Sequence, residues 1–381
     1  MLCGLLLTSQ SASAQDYEVK GWLSRNVKSI GDDKSDVKER YEFVVTVIAG
    51  LWHIRVTSNN GVYNYKETGT DGTNIYHLVN LKRKGERIKQ ESNNQVKNVA
   101  SAVVLPGTIP QEVDDPAISV LWLAYVSGQF LQTNLSGRVP AFYPTGFKNP
   151  YSLRATKPGT WLLSPYRPFV PEKVIGYDSG TIDTWTNPSY GPWVVPPNKL
   201  TLPSPYDKGY TNFVYEVLQF TNRDGLLLPS NFRITRYTSL FAGESTVSLR
   251  LLSRMEGQLA SAALLLERRS TLPEIPGDTV CADYRFAFAA EPVLRYFSYS
   301  FNGHWRTDDE VKAMPDFPRS VHANNQIVRQ VVAQPPLPRP RPAALARTRL
   351  IMTLIGGSSL FVLYRLVSSS TWKHQGRDRR L

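Results

Sequence analysis

Sulfur and imidazole are scarce in this chain, which has two cysteines and five histidines among 381 residues. Two cysteines exclude a disulfide scaffold and any zinc site built from several thiolates. The histidines (His53, His77, His304, His322 and His374) show no H-x-H or H-E-x-x-H spacing, and no C-x-x-C occurs. Metal sites need closer clustering, so no metal and no cofactor is expected. Also missing are the G-x-S-x-G elbow of hydrolases, the G-x-x-x-x-G-K phosphate loop and the G-x-G-x-x-G dinucleotide turn, whose glycines allow close backbone approach. Carboxylates such as Asp178, Asp183 and Asp207 are present, but spacing alone cannot set two carboxyl groups either side of a scissile bond. No catalytic residue is assigned, and a non-enzyme is expected, with an enzyme of a class that no motif reveals as an alternative.

What is present points first to an address. The chain opens MLCGLLLTSQSASAQ, a short apolar core followed by an Ala12-Ser13-Ala14 site. Residues 1–14 therefore read as a signal peptide truncated at its start, since the basic front region is missing. Cys3 would leave with it, and Cys281 would remain as a buried, small apolar residue. At the other end, PPLPRPRP over 335–342 favours stiff, extended geometry, and 321–348 reads as a linker. Leu350–Tyr364 then runs 15 residues without a charge. A helix of that length reaches about 22 Å, short of a hydrocarbon core of roughly 30 Å. Arg349 and Arg365 can snorkel and extend the span. Residues 349–372 are expected either to cross the membrane or to lie on it, and 373–381 to form a basic cytoplasmic tail.

Charge supports that division. The chain carries a net +12, and nine cations beyond residue 333 against the single acid Asp378 account for +8 of it. Such a cluster flanks a membrane. The remaining body is nearly balanced and offers no basic stripe, so no nucleic acid partner is expected. With the leader exporting the body, the chain is expected to be a single-pass inner-membrane protein of the bacterial cell envelope, its body in the periplasm.

The body, 15–320, reads as mainly β (α+β): a curved antiparallel sheet or half-open barrel with one or two packed helices. Residues 41–81 form a run of strands. Trp52, Ile54 and Val56 alternate with His53, Arg55 and Thr57, and Ala49-Gly50, Asn59-Asn60-Gly61 and Gly69-Thr70-Asp71-Gly72 supply turns. His53 and His77 are expected on neighbouring strands, within reach of each other. Residues 81–97 read as a solvated polar loop or hairpin. Asp114-Asp115-Pro116 starts a helix through about Leu131, uncharged over AISVLWLAYVSGQFL. That helix is either buried core or a lid over a cavity. Strands resume over 213–221, 232–238, 246–252, 280–288 and 295–301. Residues 255–269 fit helix or strand, and Asp308-Asp309-Glu310 reads as the acidic first turn of a short helix.

Between the two strand sets, residues 140–210 hold 13 of the 27 prolines and 13 aromatics. Regular helices do not persist at that proline density. Trp161, Trp185 and Trp193 there either form a stacking surface for sugar rings or fill a small core of their own.

W-H-I-R-V (52–56), T-D-G-T-N-I-Y (70–76) and F-V-Y-E-V-L-Q-F-T-N-R-D-G-L-L-L-P (213–229) resemble the periplasmic lipoprotein-carrier family. Trp52, Asp71-Gly72, Asp224-Gly225 and Pro229 carry the resemblance, over 41–104 and 211–270. It implies a half-open antiparallel barrel whose concave apolar face, covered by helices, holds acyl chains. The 140–210 insertion and the C-terminal anchor depart from that family, and no individual residue's role carries over. Candidate ligand-binding residues are Trp52, Trp122, Tyr125, Trp161, Trp185 and Trp193. The expected ligand is a lipid or lipidated protein, with a glycan as the alternative.

Overall fold

Period-two patterning in the body builds one long sheet in the computed structural model. The structure describes residues 16–28, 36–58, 63–81, 99–107, 116–128, 156–163, 170–178, 181–184, 198–201, 204–242, 246–267, 269–277, 279–288 and 296–333. The strands are β1 (Tyr17–Lys28), β2 (Asp36–Ile48), β3 (Leu51–Ser58), β4 (Tyr63–Thr70), β5 (Asn74–Leu81) and β6 (Val99–Pro106). Helix α1 (Pro116–Leu121) follows and passes directly into a π-helical turn, Trp122–Val126. Then come β7 (Thr156–Leu163), β8 (Pro171–Asp178), β9 (Thr181–Thr184), β10 (Asn198–Thr201), β11 (Tyr210–Arg223), β12 (Leu226–Ala242) and β13 (Thr246–Leu264). The chain closes with β14 (Val280–Asp283), a 3-10 turn (Arg285–Phe288), β15 (Phe297–Ser300), α2 (Asp308–Lys312) and α3 (Asp316–Ala333).

Thirteen strands pair in the order β15-β14-β6-β5-β4-β3-β2-β1-β13-β12-β11-β8-β7, while β9 and β10 pair separately. Every pairing in the large sheet is antiparallel except β14 with β6. The sheet is open, with β15 and β7 at its edges. Two hairpins form where the sequence signals them. Ala49 and Gly50 take φ of 49° and 83°, and Asp224 and Gly225 take 51° and 83°, the positive angles that tight two-residue turns require.

One face of this sheet is a continuous apolar surface. Phe43 and Val45 of β2, Trp52, Ile54 and Val56 of β3, Tyr215 of β11, and Phe232 and Ile234 of β12 all join a single core with the α1 and π-turn residues. The sheet bends around that helix. The Tyr125 ring lies 5.7 Å from Phe43 and 5.6 Å from Phe232. These rings belong to strands three steps apart, about 14 Å in a flat sheet, so both lean inward over the helix. A second core covers the opposite face at one end. Leu78, Ala102, Cys281, Phe286, Phe297, Val311 and Phe317 pack there beneath α2 and α3. Strand β5 is accordingly buried on both sides from Ile75 to Asn80.

Several expectations change. His53 and His77 lie on β3 and β5 with β4 between them. They also face opposite sides. His77 lies beside Thr68 on the inner face, and His53 contacts Glu67 on the outer face. The segment open to helix or strand is strand as far as Leu264, because β1 offers it a full ladder. The proline-rich insertion contributes β7 and β8 to the sheet edge, with β8 paired to β11. Helix α3 continues past residue 320 to Ala333, and 321–333 contains no proline to stop it. Among the described residues no helix is long and apolar enough to cross a membrane. The expected leader 1–14, the polar segment 82–97 and the span 349–372 lie outside the described residues.

Candidate functional site

The inner face beneath α1 is the best-defined candidate site. From Ala117 to Gly128 every residue of the helical segment is buried. A helix apolar on all sides has to be enclosed, and here the sheet encloses it. Tyr125 ties the π turn to the strands on both sides. The Tyr17 hydroxyl of β1 donates to the Tyr125 carbonyl. The Tyr125 hydroxyl in turn donates to the Pro229 carbonyl of β12, at 3.1 Å. Pro229 lies outside the β12–β13 ladder, which begins at Asn231, and beside a register shift of the β11–β12 pairing, a setting in which a strand accepts proline. Ser127 closes the segment by donating to the Leu123 carbonyl at 2.6 Å.

A third phenol completes the group. Tyr215 is fully buried, 6.3 Å from Phe232 ring to ring, and its hydroxyl has no hydrogen-bond partner among the described residues. Burial pushes the Tyr17, Tyr125 and Tyr215 hydroxyls well above the ordinary phenol range, so all three stay protonated and neutral. Polar groups continue along the inner face toward β5, where Thr68 Oγ1 and His77 Nδ1 are 2.6 Å apart and Lys66 is buried.

Of the six residues singled out in the sequence, Trp52, Trp122 and Tyr125 meet in this core, each at most 3% exposed. Trp161 lies on β7 with its side chain outside the described residues, and Trp185 and Trp193 are outside them altogether. Tyr17, Phe43, Tyr215 and Phe232 were not singled out, because an inward aromatic on a strand reads as ordinary core. Among the described residues no three His, Cys, Asp or Glu side chains group to hold a metal.

The outer face of β2, β1, β13, β12 and β11 carries a shallow cleft of about 570 Å³. Trp22, Arg40, Gln219, Asn231, Glu256 and Gln258 line it. Trp22 is 38% exposed. Its indole N–H donates to Gln258 Oε1 at 3.0 Å, and the Arg40 guanidinium lies 5.5 Å from its ring centre. Asn231 Nδ2 donates to Gln219 Oε1 at 2.9 Å. The outward alternation of Glu18, Lys20, Trp22 and Ser24 was the available signal for this face.

No family model matches the sequence, and no curated protein matches it. Among solved structures, a LolA superfamily protein from Nitrosomonas europaea is similar at 9% identity and TM-score 0.25, over 69% of this chain and 88% of that one. A DUF1329 family protein from Desulfovibrio piger is similar at 7% identity and TM-score 0.26, over 68% and 89%. A β-barrel-like DUF1849 protein from Brucella abortus gives 10% identity and TM-score 0.16, over 66% and 98%. The likeness is faint.

Proposed function

We propose that the inner face is a non-catalytic binding site for an apolar ligand, an acyl chain of a lipid or a lipidated protein, with α1 and the π turn as its displaceable cover. One observation carries this reading: the concave face is filled by an apolar helical segment seated on apolar side chains. Non-directional apolar packing discriminates poorly between a helix and an acyl chain, so a chain of sufficient length can take the segment's place. Native mass spectrometry after gentle purification tests this, with co-purified acyl species as the expected result. Protein that is consistently empty and takes up no cis-parinaric acid would overturn the reading.

The same proposal sets the body in the periplasm, tethered by 349–372. Deleting residues 345–381 is expected to move the protein from the membrane fraction to the soluble one. A full-length protein already soluble would remove the tether.

The outer cleft favours a second reading, a neutral glycan. An exposed indole beside amide side chains can stack on a sugar face and bond its hydroxyls. In this reading Trp22, on the outer face of β1, takes the role expected of the insertion tryptophans. Titration with chitotetraose should perturb the Trp22 indole N–H resonance, and Trp22→Ala should abolish binding. Unchanged spectra would rule the cleft out.

A further inference from the structure

The position of Tyr125 allows the head-group chemistry of the ligand to be read, provided that the apolar-ligand proposal holds. Two polar groups bond this side chain and its carbonyl in the slot they occupy, and a third belongs to Tyr215, which packs on Phe232 as Tyr125 does. The Tyr17 hydroxyl is a donor, now given to the Tyr125 carbonyl. The Pro229 carbonyl is an acceptor, now taken by the Tyr125 hydroxyl. The Tyr215 hydroxyl is buried and has no partner among the described residues. Leaving a buried hydroxyl unmatched costs about 1–3 kcal/mol. Such a group inside a packed core is therefore a feature to be explained. Phe43 and Phe232 wall the slot on two sides.

We propose that Tyr125 is an internal placeholder for the polar head of the ligand, and that Tyr17, Tyr215 and the Pro229 carbonyl form the head-group subsite it occupies. When the π turn withdraws, the slot presents a donor, an acceptor and a hydroxyl able to act as either. The complementary head has a carbonyl oxygen for Tyr17 and an O–H or N–H for Pro229, with a further polar atom against Tyr215. A neutral acyl ester bearing free hydroxyls, or an N-acyl amide, meets this requirement. An ionised carboxylate does not, because it has no proton for the Pro229 carbonyl and would lose its hydration among neutral phenols.

The tether between cover and sheet then explains selectivity. A bare hydrocarbon displacing the segment leaves Tyr17 and Pro229 unsatisfied, whereas the matching head restores both bonds. The ligand pays for opening with the same contacts the cover gave up.

Displacement of the apolar dye N-phenyl-1-naphthylamine from the full chain by monoolein, oleate and 1-octadecene tests the inference. Monoolein is expected to compete best. Tyr215→Phe should weaken monoolein by about 3–10-fold, the worth of one hydrogen bond, while leaving 1-octadecene unchanged and thermal stability undiminished. Tyr125→Phe, which keeps the ring and frees Pro229, should strengthen monoolein severalfold. If Tyr215→Phe alters neither probe, or both equally, the head-group subsite is wrong while the apolar site stands. If no probe or dye binds any form of the protein, the apolar-ligand proposal itself fails.

Discussion

The ring of Phe232 lies over Gly257, its directly opposed partner on the next strand, so closely that a Cβ there would collide with it. The arrangement recurs. Phe43 opposes and covers Gly21, and Phe213 opposes and covers Gly176. Each pair sets a large inward ring against no side chain at all. A strand can then approach the ring without a side chain of its own, and the sheet curves toward the aromatic. This is the glycine-and-aromatic device by which sheets are bent. Gly21 also sits where the β1–β13 register shifts, a second source of local bending. Phe43 and Phe232 are also the two rings that hold Tyr125, so curvature and site depend on the same residues.

Gly257→Ala should therefore destabilise the fold by about 1–3 kcal/mol, as overpacking does in well-filled cores. In a Phe232→Leu background the same change should cost much less, because the ring it strikes is gone. Urea denaturation of the two single variants and the double variant measures the coupling. Simple additivity would show that the ring does not depend on the missing side chain.

The glycines also explain which parts of the sheet were legible. The meander over 41–81 could be read because apolar residues alternate without interruption in β2 and β3, whose ladder runs from Tyr41–Ser58 to Ile48–Leu51 without a shift. Strand β1 hides its inner face by placing Gly21 between Val19 and Leu23. Residues 255–264 combine Gly257 with alanines and leucines that suit a helix equally well, and only the long ladder with β1 decides the matter. The histidines illustrate the same limit. The turn signals at 59–61 and 69–72 bracket β4 between them, but which face each histidine takes depends on the β3–β4 and β4–β5 registers, which those signals do not set. Trp52, Trp122 and Tyr125 could be named as aromatics, but the partners of Tyr125 are brought from β1, β2 and β12 by topology alone.

Cys281 should be inert in the native state. Its thiol is completely buried, and burial together with the nearby Asp283 carboxylate pushes it up to about 12. The thiolate is the reactive species. With Cys3 replaced by serine, the folded protein at pH 8 is expected to give almost no reaction with Ellman's reagent and one full equivalent in urea. Prompt reaction without denaturant would mean that the α2–α3 cover opens readily.

Arg285 is the pivot between β14 and α2. Its side chain is 4% exposed, contacts Asp283 at 2.6 Å and Asp308 at 2.6 Å, and donates to the Arg306 carbonyl at 2.9 Å. Burial pushes the Asp283 carboxyl up even beside this guanidinium. Arg285→Met should thus cost about 3–5 kcal/mol by stranding a buried carboxylate, and adding Asp283→Leu should recover part of the loss. Thermal unfolding of the single and double variants checks it. A double variant no more stable than the single would show that the loss does not come from a stranded carboxylate.

Glu310 gives the fold an acid-sensitive point. Thr307 and Glu310 form a reciprocal capping box at the start of α2. The Thr307 N–H donates to Glu310 Oε2 at 2.7 Å, and the Glu310 N–H donates to Thr307 Oγ1 at 3.3 Å. The backbone bond from Thr307, then the contact with His304, lower the carboxyl from 4.5 to about 2. A depressed folded value means that the carboxylate's contribution is present above the unfolded value and is lost as pH falls from about 4.5 toward 2. Glu310→Gln keeps a bond to the Thr307 N–H but removes the titrating charge. Its melting temperature should be lower than that of the parent at pH 6, and the gap should close between pH 4.5 and 2. Parallel acid profiles for the two proteins would place the acid sensitivity elsewhere in the chain.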